Sequence, residues 1–76
     1  MTQEQMILEY LREHKEGITA LEAFHKFGIM RLSGRIFNLR AMGYGITSEL
    51  ITVTNRYGNQ CRVAVYVLTN DKELLE

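Results

Sequence analysis

The spacing of apolar residues changes its period once along the chain, near Gly43. On the N-terminal side, apolar side chains recur every three or four residues, which is the period of an α-helix. From Ile46 onward they alternate with polar ones in β-branched runs, which is the period of a β-strand. The chain has 76 residues, enough for one domain only. The sequence therefore predicts a single α+β domain in which helices precede a small sheet.

Two capping boxes predict where the first two helices begin. Residues 2–5 and 19–22 have the pattern Thr-x-x-Gln and Thr-x-x-Glu, in which two side chains cap each other's backbone N–H groups. Gly17 and Gly28 are predicted to end these helices, because glycine is favoured just past a helix C-terminus. The side chains expected to face inward are Met6, Ile7, Tyr10, Leu11 and His14 on the first helix, and Leu21, Phe24 and Phe27 on the second.

A third helix is predicted over residues 31–42, ending at Gly43. At 100° per residue, one narrow stripe is apolar and is expected to be buried, namely Leu32, Ile36 and Leu39. The opposite face carries small groups, polar groups and one aromatic ring: Ser33, Gly34, Phe37, Asn38 and Ala41. Arginines border this outer face, with Arg31 and Arg35 on one edge and Arg40 on the other.

A β-hairpin is predicted over strands at residues 49–54 and 62–68, joined by a polar loop that contains Gly58. Cys61 falls on the same face as the alternating valines of the second strand and is expected to be a small buried hydrophobe. Residues 1–68 are predicted to form the domain. Residues 69–76 are predicted to form a tail that is either one helical turn, capped by Asn70, or frayed.

The charges are unevenly distributed although the formal net charge is zero. Residues 1–25 contain five acidic and two basic side chains, and residues 69–76 contain three acidic and one basic. Residues 26–68 contain six basic side chains against Glu49 alone. Such a basic block within a neutral chain favours an anionic partner for the middle of the chain.

The order of helix, short helix, tight turn, helix and hairpin resembles that of a winged helix-turn-helix domain. The resemblance rests on the capped segment 18–24, on Gly28 in the turn, and on the spacing of Leu32, Ile36, Leu39, Gly43 and Tyr44. The hairpin segment 51–58, together with Arg31-Leu32 and Arg35-Ile36, more narrowly resembles small helix-turn-helix proteins encoded by phages and prophages. The likeness spans residues 2–68 and implies three helices, a hairpin wing and a DNA-binding role.

One departure from the usual pattern lies in the turn. Usual winged domains have about two more residues between the glycine and the third helix, often with Ser or Thr as the cap. Here Ile29 and Met30 occupy the turn, and no obvious cap precedes Arg31.

A helix-turn-helix places the outer face of its second helix in the major groove of DNA. The residues predicted to lie there are Arg31, Ser33, Gly34, Arg35 and Asn38. Arg40 is predicted to meet a phosphate, and Arg56, at the tip of the wing, a narrow A·T minor groove. Tyr57 and Arg62 complete the predicted interface with double-stranded DNA.

Several of these residues have an alternative interpretation. Arg35 could pair with Glu49 or with a glutamate of the first helix, and Arg62 could be an ordinary cross-strand surface charge. Tyr57 could pack on the hairpin. Phe37 could contact a thymine methyl group, pack beneath the wing or belong to a protein interface.

The sequence offers no pattern typical of an enzyme. We find no Ser–His–Asp set, no glycine-rich phosphate loop and no paired carboxylates, so no catalytic residues and no cofactor are expected. One cysteine cannot form an internal disulfide, and His14 and His25 are too few and too far apart to suggest a metal site. His14 is expected to interact with the dipole of the first helix. Neither a leader nor a membrane span is visible, which predicts a cytoplasmic protein.

The leading hypothesis is a small DNA-binding transcriptional regulator of phage or prophage origin. A lone module of this size makes few contacts, so useful specificity calls for a homodimer or a partner protein. The main alternative is a protein-binding adaptor, favoured by the zero net charge, the acidic first helix and Leu8, which lies off the predicted stripe. A third hypothesis is an architectural accessory factor in recombination or packaging.

Overall fold

The computed structural model describes residues 2–71 and contains three helices and a three-stranded antiparallel sheet. The elements are α1 (Gln3–Glu13), β1 (Ile18–Thr19), α2 (Ala20–Phe27), α3 (Leu32–Ala41), β2 (Gly45–Thr54) and β3 (Gln60–Asn70). The sheet order is β1-β3-β2. The predicted α+β architecture is confirmed. The two-residue strand β1 was not predicted, because two residues are too few to establish a period.

Both capping boxes form as predicted. The Gln5 N–H donates to the Thr2 hydroxyl at 3.2 Å, and the Thr2 N–H donates to the Gln5 side chain at 3.0 Å. Thr19 and Glu22 repeat this exchange at 3.2 and 3.1 Å. Gly28 ends α2 with a φ of 70°, in the left-handed region that favours glycine.

The prediction that Gly17 caps the first helix is wrong. α1 ends at Glu13, and His14 is its C-cap, with its backbone N–H donating to the Tyr10 carbonyl at 2.9 Å. The His14 ring stacks on the Tyr10 ring at 3.9 Å between centroids. Gly17 has a φ of 92° and lies against β3, where a Cβ would collide with the Tyr66 carbonyl oxygen. Glycine is therefore required here by a close approach of two backbones.

The core lies between the three helices and the base of the sheet. Its fully buried large side chains are Ile7, Leu11, Ile18, Ile29, Leu32, Ile36 and Leu39. The predicted stripe of α3 is thereby confirmed. Leu8 is also buried, at 6% exposure, and so cannot be an off-stripe docking residue as expected.

Two of the three inward residues predicted for α2, Leu21 and Phe24, are wrong. Leu21 is 66% exposed and Phe24 48% exposed, whereas Ala23 is fully buried and Phe27 is half-buried. The small Ala23 side chain lets α2 approach the core closely, and this turns the larger side chains outward.

The hairpin extends well beyond the helices, and the molecule measures 47 Å along its longest axis. β2 and β3 pair from Ile46↔Leu68 to Thr54↔Gln60, with a register shift only at Gly45/Ile46. The prediction that Cys61 is buried is wrong, because this residue is exposed near the tip of the hairpin.

β3 continues to Asn70, two residues past the predicted domain boundary. Asp71 is buried and forms an ion pair with Arg12 of α1, which ties the end of the strand to the first helix. The remainder of the predicted tail, residues 72–76, lies outside the described residues.

The rotation of α3 generates a stability prediction. Ile36→Ala empties a fully buried site and is expected to lower the free energy of unfolding by about 2–5 kcal/mol. Phe37→Ala, at the next position but 71% exposed, should change it by less than about 0.5 kcal/mol. Chemical denaturation measures both, and a loss at Phe37 as large as that at Ile36 would contradict the rotation.

Candidate nucleic-acid interface

The outer face of α3 is exposed over its whole length. Burial of Leu32, Ile36 and Leu39 turns the opposite side outward, where Ser33, Gly34, Phe37 and Asn38 are exposed. A Cβ placed on Gly34 would meet nothing within 4 Å among the described residues. This arrangement leaves the helix backbone approachable from outside at Gly34.

The N-terminus of α3 lacks a side-chain cap, as the sequence indicated. Arg31 is the N-cap residue, but its side chain makes no capping hydrogen bond. Backbone N–H groups in the first turn of a helix have no intrahelical acceptor. They are therefore available to an anion, beside an exposed arginine.

Arg35 and Asn38 converge on one carboxylate of α1. Arg35 Nη1 donates to Glu4 Oε2 at 3.0 Å, and Asn38 Nδ2 donates to the same oxygen at 2.8 Å. The Glu4 side chain is 16% exposed and that of Arg35 38%. Of the two interpretations of Arg35, the structure contains the pairing with a first-helix glutamate; base contact by these residues stays a prediction.

The two donors stabilise the charged form of Glu4. The hydrogen bond from Asn38, followed by that from Arg35, holds the pKa of the Glu4 carboxyl below its ordinary value. Arg35 Nε is buried and has no hydrogen-bond partner among the described residues. The contact with Glu4 therefore satisfies only some of the hydrogen-bond donors of the Arg35 guanidinium.

The tip of the hairpin presents two side chains predicted to contact DNA. The Asn55 side-chain oxygen accepts from the N–H groups of Tyr57 and Asn59 at 2.9 and 3.0 Å, which orders the loop. Arg56 is exposed, and Tyr57 is 80% exposed, so the alternative that Tyr57 packs on the hairpin is wrong. Within residues 2–71 Arg56 makes no ion pair.

Residues 2–71 match the model of a family described as a winged helix-turn-helix domain. The chain belongs to this family. α2 and α3 then correspond to the helix-turn-helix, α3 occupies the position that such domains use as the recognition helix, and the β2–β3 hairpin is the wing. No curated protein and no solved structure matches the chain significantly. Membership in the winged helix-turn-helix family suggests double-stranded DNA as the partner.

The recognition helix is attached directly to the base of the wing. Arg40 Nε donates to the carbonyl oxygen of Ile46 at 2.9 Å. Arg62, in contrast, lies farther along the wing, exposed and opposite Thr52. The phosphate contact predicted for Arg40 and the DNA contact predicted for Arg62 stay predictions.

An apolar cleft of about 660 Å³ lies between the start of the recognition helix and the wing. The apolar side chains lining it include Leu21, Met30, Ile51, Val53 and Val63. The sequence did not indicate this cleft, because Leu21 was assigned to the core. Met30, in the turn, is 82% exposed at its edge.

Residues 2–71 contain neither a candidate metal cluster nor a candidate membrane-spanning helix. No group of three or more His, Cys, Asp or Glu side chains there could hold a metal ion. No helix among these residues is long and apolar enough to cross a bilayer.

The Glu4 contact predicts how stability depends on pH. Because its pKa is lowered in the folded state, Glu4 contributes stability that is present above its unfolded value near 4.5 and is lost as the pH falls through its folded value. Glu4→Gln should lower the free energy of unfolding at pH 7 by about 0.5–1 kcal/mol and flatten its decline in acid. Denaturation from pH 7 to pH 3 measures both effects.

The matched control for this experiment is Glu9→Gln, which removes an exposed carboxylate from the same helix. It should leave the free energy of unfolding at pH 7 nearly unchanged. Equal acid sensitivity of the wild-type protein and Glu4→Gln would contradict the assignment.

Proposed function

We propose that this protein is a small transcriptional regulator that inserts α3 into the major groove of double-stranded DNA and lays its wing on the minor groove or the backbone. The observation that carries the proposal is the uncovered outer face of α3, with Ser33 and Gly34 at its start, together with an exposed wing tip. We further propose that it acts in the cytoplasm, without catalysis or a cofactor. The narrower resemblance to phage and prophage proteins supports such an origin.

The start of the recognition helix is best suited to close contact with DNA. Ser33 and Gly34 are short enough for the backbone to approach the groove, and Arg31 can form a bidentate pair with guanine O6 and N7. The hydroxyl of Ser33 and the free N–H groups of the first turn can bind a phosphate.

Arg35 and Asn38 have a different position in this mechanism. Both donate to Glu4, so contact with a base requires them to exchange a carboxylate for an acceptor on DNA. That exchange removes a charge-assisted hydrogen bond, which is the stronger kind. The free-energy cost of this exchange therefore favours DNA sites that offer guanine to Arg35 and adenine to Asn38 over sites that do not.

The wing supplies the second contact. Arg56 extends from the loop at the tip of the wing. If this loop lies on a narrow A·T minor groove, the negative potential of the groove favours an arginine there. Three further side chains suit contacts with the phosphates of the bound DNA, namely Tyr57, Arg62 and Arg40.

A protein-binding adaptor is the second candidate function. The apolar cleft beside the wing favours it, since exposed apolar surface of this kind marks interaction sites. Leu8 does not support the adaptor function as an off-stripe residue, because it is buried. An architectural factor in recombination or packaging would use the same DNA-binding face without sequence preference.

Fluorescence anisotropy with labelled duplexes at increasing salt tests DNA binding. If five or six cations neutralise phosphates, the logarithm of the binding constant should fall with the logarithm of the salt concentration at a slope of about −4.5 to −5.4. Arg56→Ala should reduce the slope by about one and weaken A·T-flanked sites most. Absence of DNA binding at 50 mM salt would favour the adaptor function. Equal affinity for all DNA sequences would favour the architectural role.

Gly34→Ala tests which face of α3 meets DNA. The added methyl group has open space around it and a better helix propensity, so the free energy of unfolding should rise by about 0.5–1 kcal/mol. The same methyl group would keep the backbone from the groove, so affinity for DNA should fall about tenfold or more. A variant that is more stable and binds DNA as well as wild type would contradict this face.

A further inference from the structure

The outer edge of the wing carries a row of backbone groups that no other part of residues 2–71 bonds. β2 is the last strand of the sheet order, so one of its sides faces away from β3. The Asn55 N–H donates to the Asn59 carbonyl at 2.8 Å, which makes residues 55 and 59 a hydrogen-bonded pair. In an antiparallel ladder such pairs alternate. The N–H and C=O groups directed outward are therefore those of Ser48, Leu50, Thr52 and Thr54.

This open edge has a defined beginning and end. At the base of the wing, the outward carbonyl of Ile46 is already taken by Arg40 Nε. At the tip, the strand ends at Thr54 and the Asn55 turn follows. The open groups thus span residues 48–54, and the centre of that span is Ile51.

Apart from the charge of Glu49, the edge lacks the features by which proteins prevent strand pairing. Proline, lysine and arginine are absent from β2, and its one bulge, at Gly45/Ile46, lies outside the open span. Leu50 is 68% exposed, Ile51 39% and Val53 37%. The other free edge, on β3, is partly covered by β1 and carries Arg62.

We infer that this edge pairs with the same edge of a second copy of the chain, antiparallel and with the two-fold axis at Ile51. This register uses every open group, since Ser48 then pairs with Thr54 of the second copy and Leu50 with Thr52. The Ile51 side chains meet each other at a non-hydrogen-bonded position, where side chains lie closest.

Within the open span, residues 48–54, the charges permit this pairing. Glu49 is the one charged residue of the open span, and its neighbour across the interface is the second copy's Val53. The two Glu49 side chains are four residues apart along the strands, about 14 Å. That exceeds the screening length of about 8 Å at physiological ionic strength, so like charges do not oppose the contact.

In the resulting dimer the C-terminal ends of the two α3 helices are about one turn of DNA apart; this step rests on the proposed function. In this register the two Ile46 residues are ten strand positions apart, or about 34 Å. Arg40 holds the end of each recognition helix to its own Ile46. The axis is perpendicular to the sheet, so both helical bodies lie on the same side. Two half-sites one helical turn apart are separated by about 34–36 Å.

Disulfide trapping in the full chain without DNA tests the pairing. Cys61 is replaced by Ser in every variant, because it is exposed. Ile51→Cys places two thiols on the two-fold axis at a Cα separation of about 4.5 Å, within the range of a disulfide. Val53→Cys is the matched control, with almost the same exposure but about 14 Å from its twin. A mild oxidant should give at least tenfold more covalent dimer from Ile51→Cys, measured by non-reducing electrophoresis and intact mass.

A second variant tests the role of the backbone edge. Thr52→Pro removes an outward N–H group and leaves the ladder with β3 intact, because proline is tolerated at an edge. Added to Ile51→Cys, it should reduce cross-linking at least fivefold, with circular dichroism checking the fold. Equal cross-linking of Ile51→Cys and Val53→Cys, or none from Ile51→Cys, overturns the inference.

DNA binding by the purified cross-linked dimer separates this inference from the proposed function. The dimer should bind two half-sites ten base pairs apart at least tenfold more tightly than half-sites fifteen base pairs apart. A specific cross-link with no DNA affinity would retain the pairing and contradict the proposed function. DNA affinity without the specific cross-link would contradict the pairing and retain the proposed function.

Discussion

The packing of the narrow apolar stripe of α3 against α1 is the constraint on which the proposed interface depends. Three buried residues, Leu32, Ile36 and Leu39, fix the rotation of a ten-residue helix about its axis. Once they are buried, the small and polar residues between them must face outward. The position of Gly34 and Ser33 follows from this packing and needs no further interaction to hold it. The surface proposed to meet DNA is in this sense a by-product of the core.

The same constraint explains how much of the fold the sequence predicted. Capping boxes are local, with partners three residues apart, so both could be found without any tertiary information. The stripe of α3 was also predictable, because its apolar residues leave one orientation only. In α2, by contrast, Leu21 and Phe24 gave a stronger apolar signal than Ala23, and the wrong face was assigned. Burial there is decided by how closely two helices can approach, which depends on the small residue.

The remaining differences arise from contacts between residues distant in sequence. Gly17 was assigned to a helix end, but the reason for glycine is the backbone of β3, nearly fifty positions later. Cys61 alternates with valines as a buried residue would, yet it is exposed. A first-helix glutamate was among the alternatives for Arg35, whereas the second donor, Asn38, was not expected. The periodicity of apolar residues shows which side of an element is apolar. It does not show which part of the chain packs against that side.

One side chain couples the two elements proposed to contact DNA. The guanidinium of Arg40 joins the last turn of α3 to the first residues of β2. This hydrogen bond and the shared core hold the helix at one angle to the base of the wing. If a duplex engages both elements as proposed, it must adapt its own curvature and groove width to that angle. Preference among DNA sequences would then include how easily each one bends, at base pairs that no side chain touches.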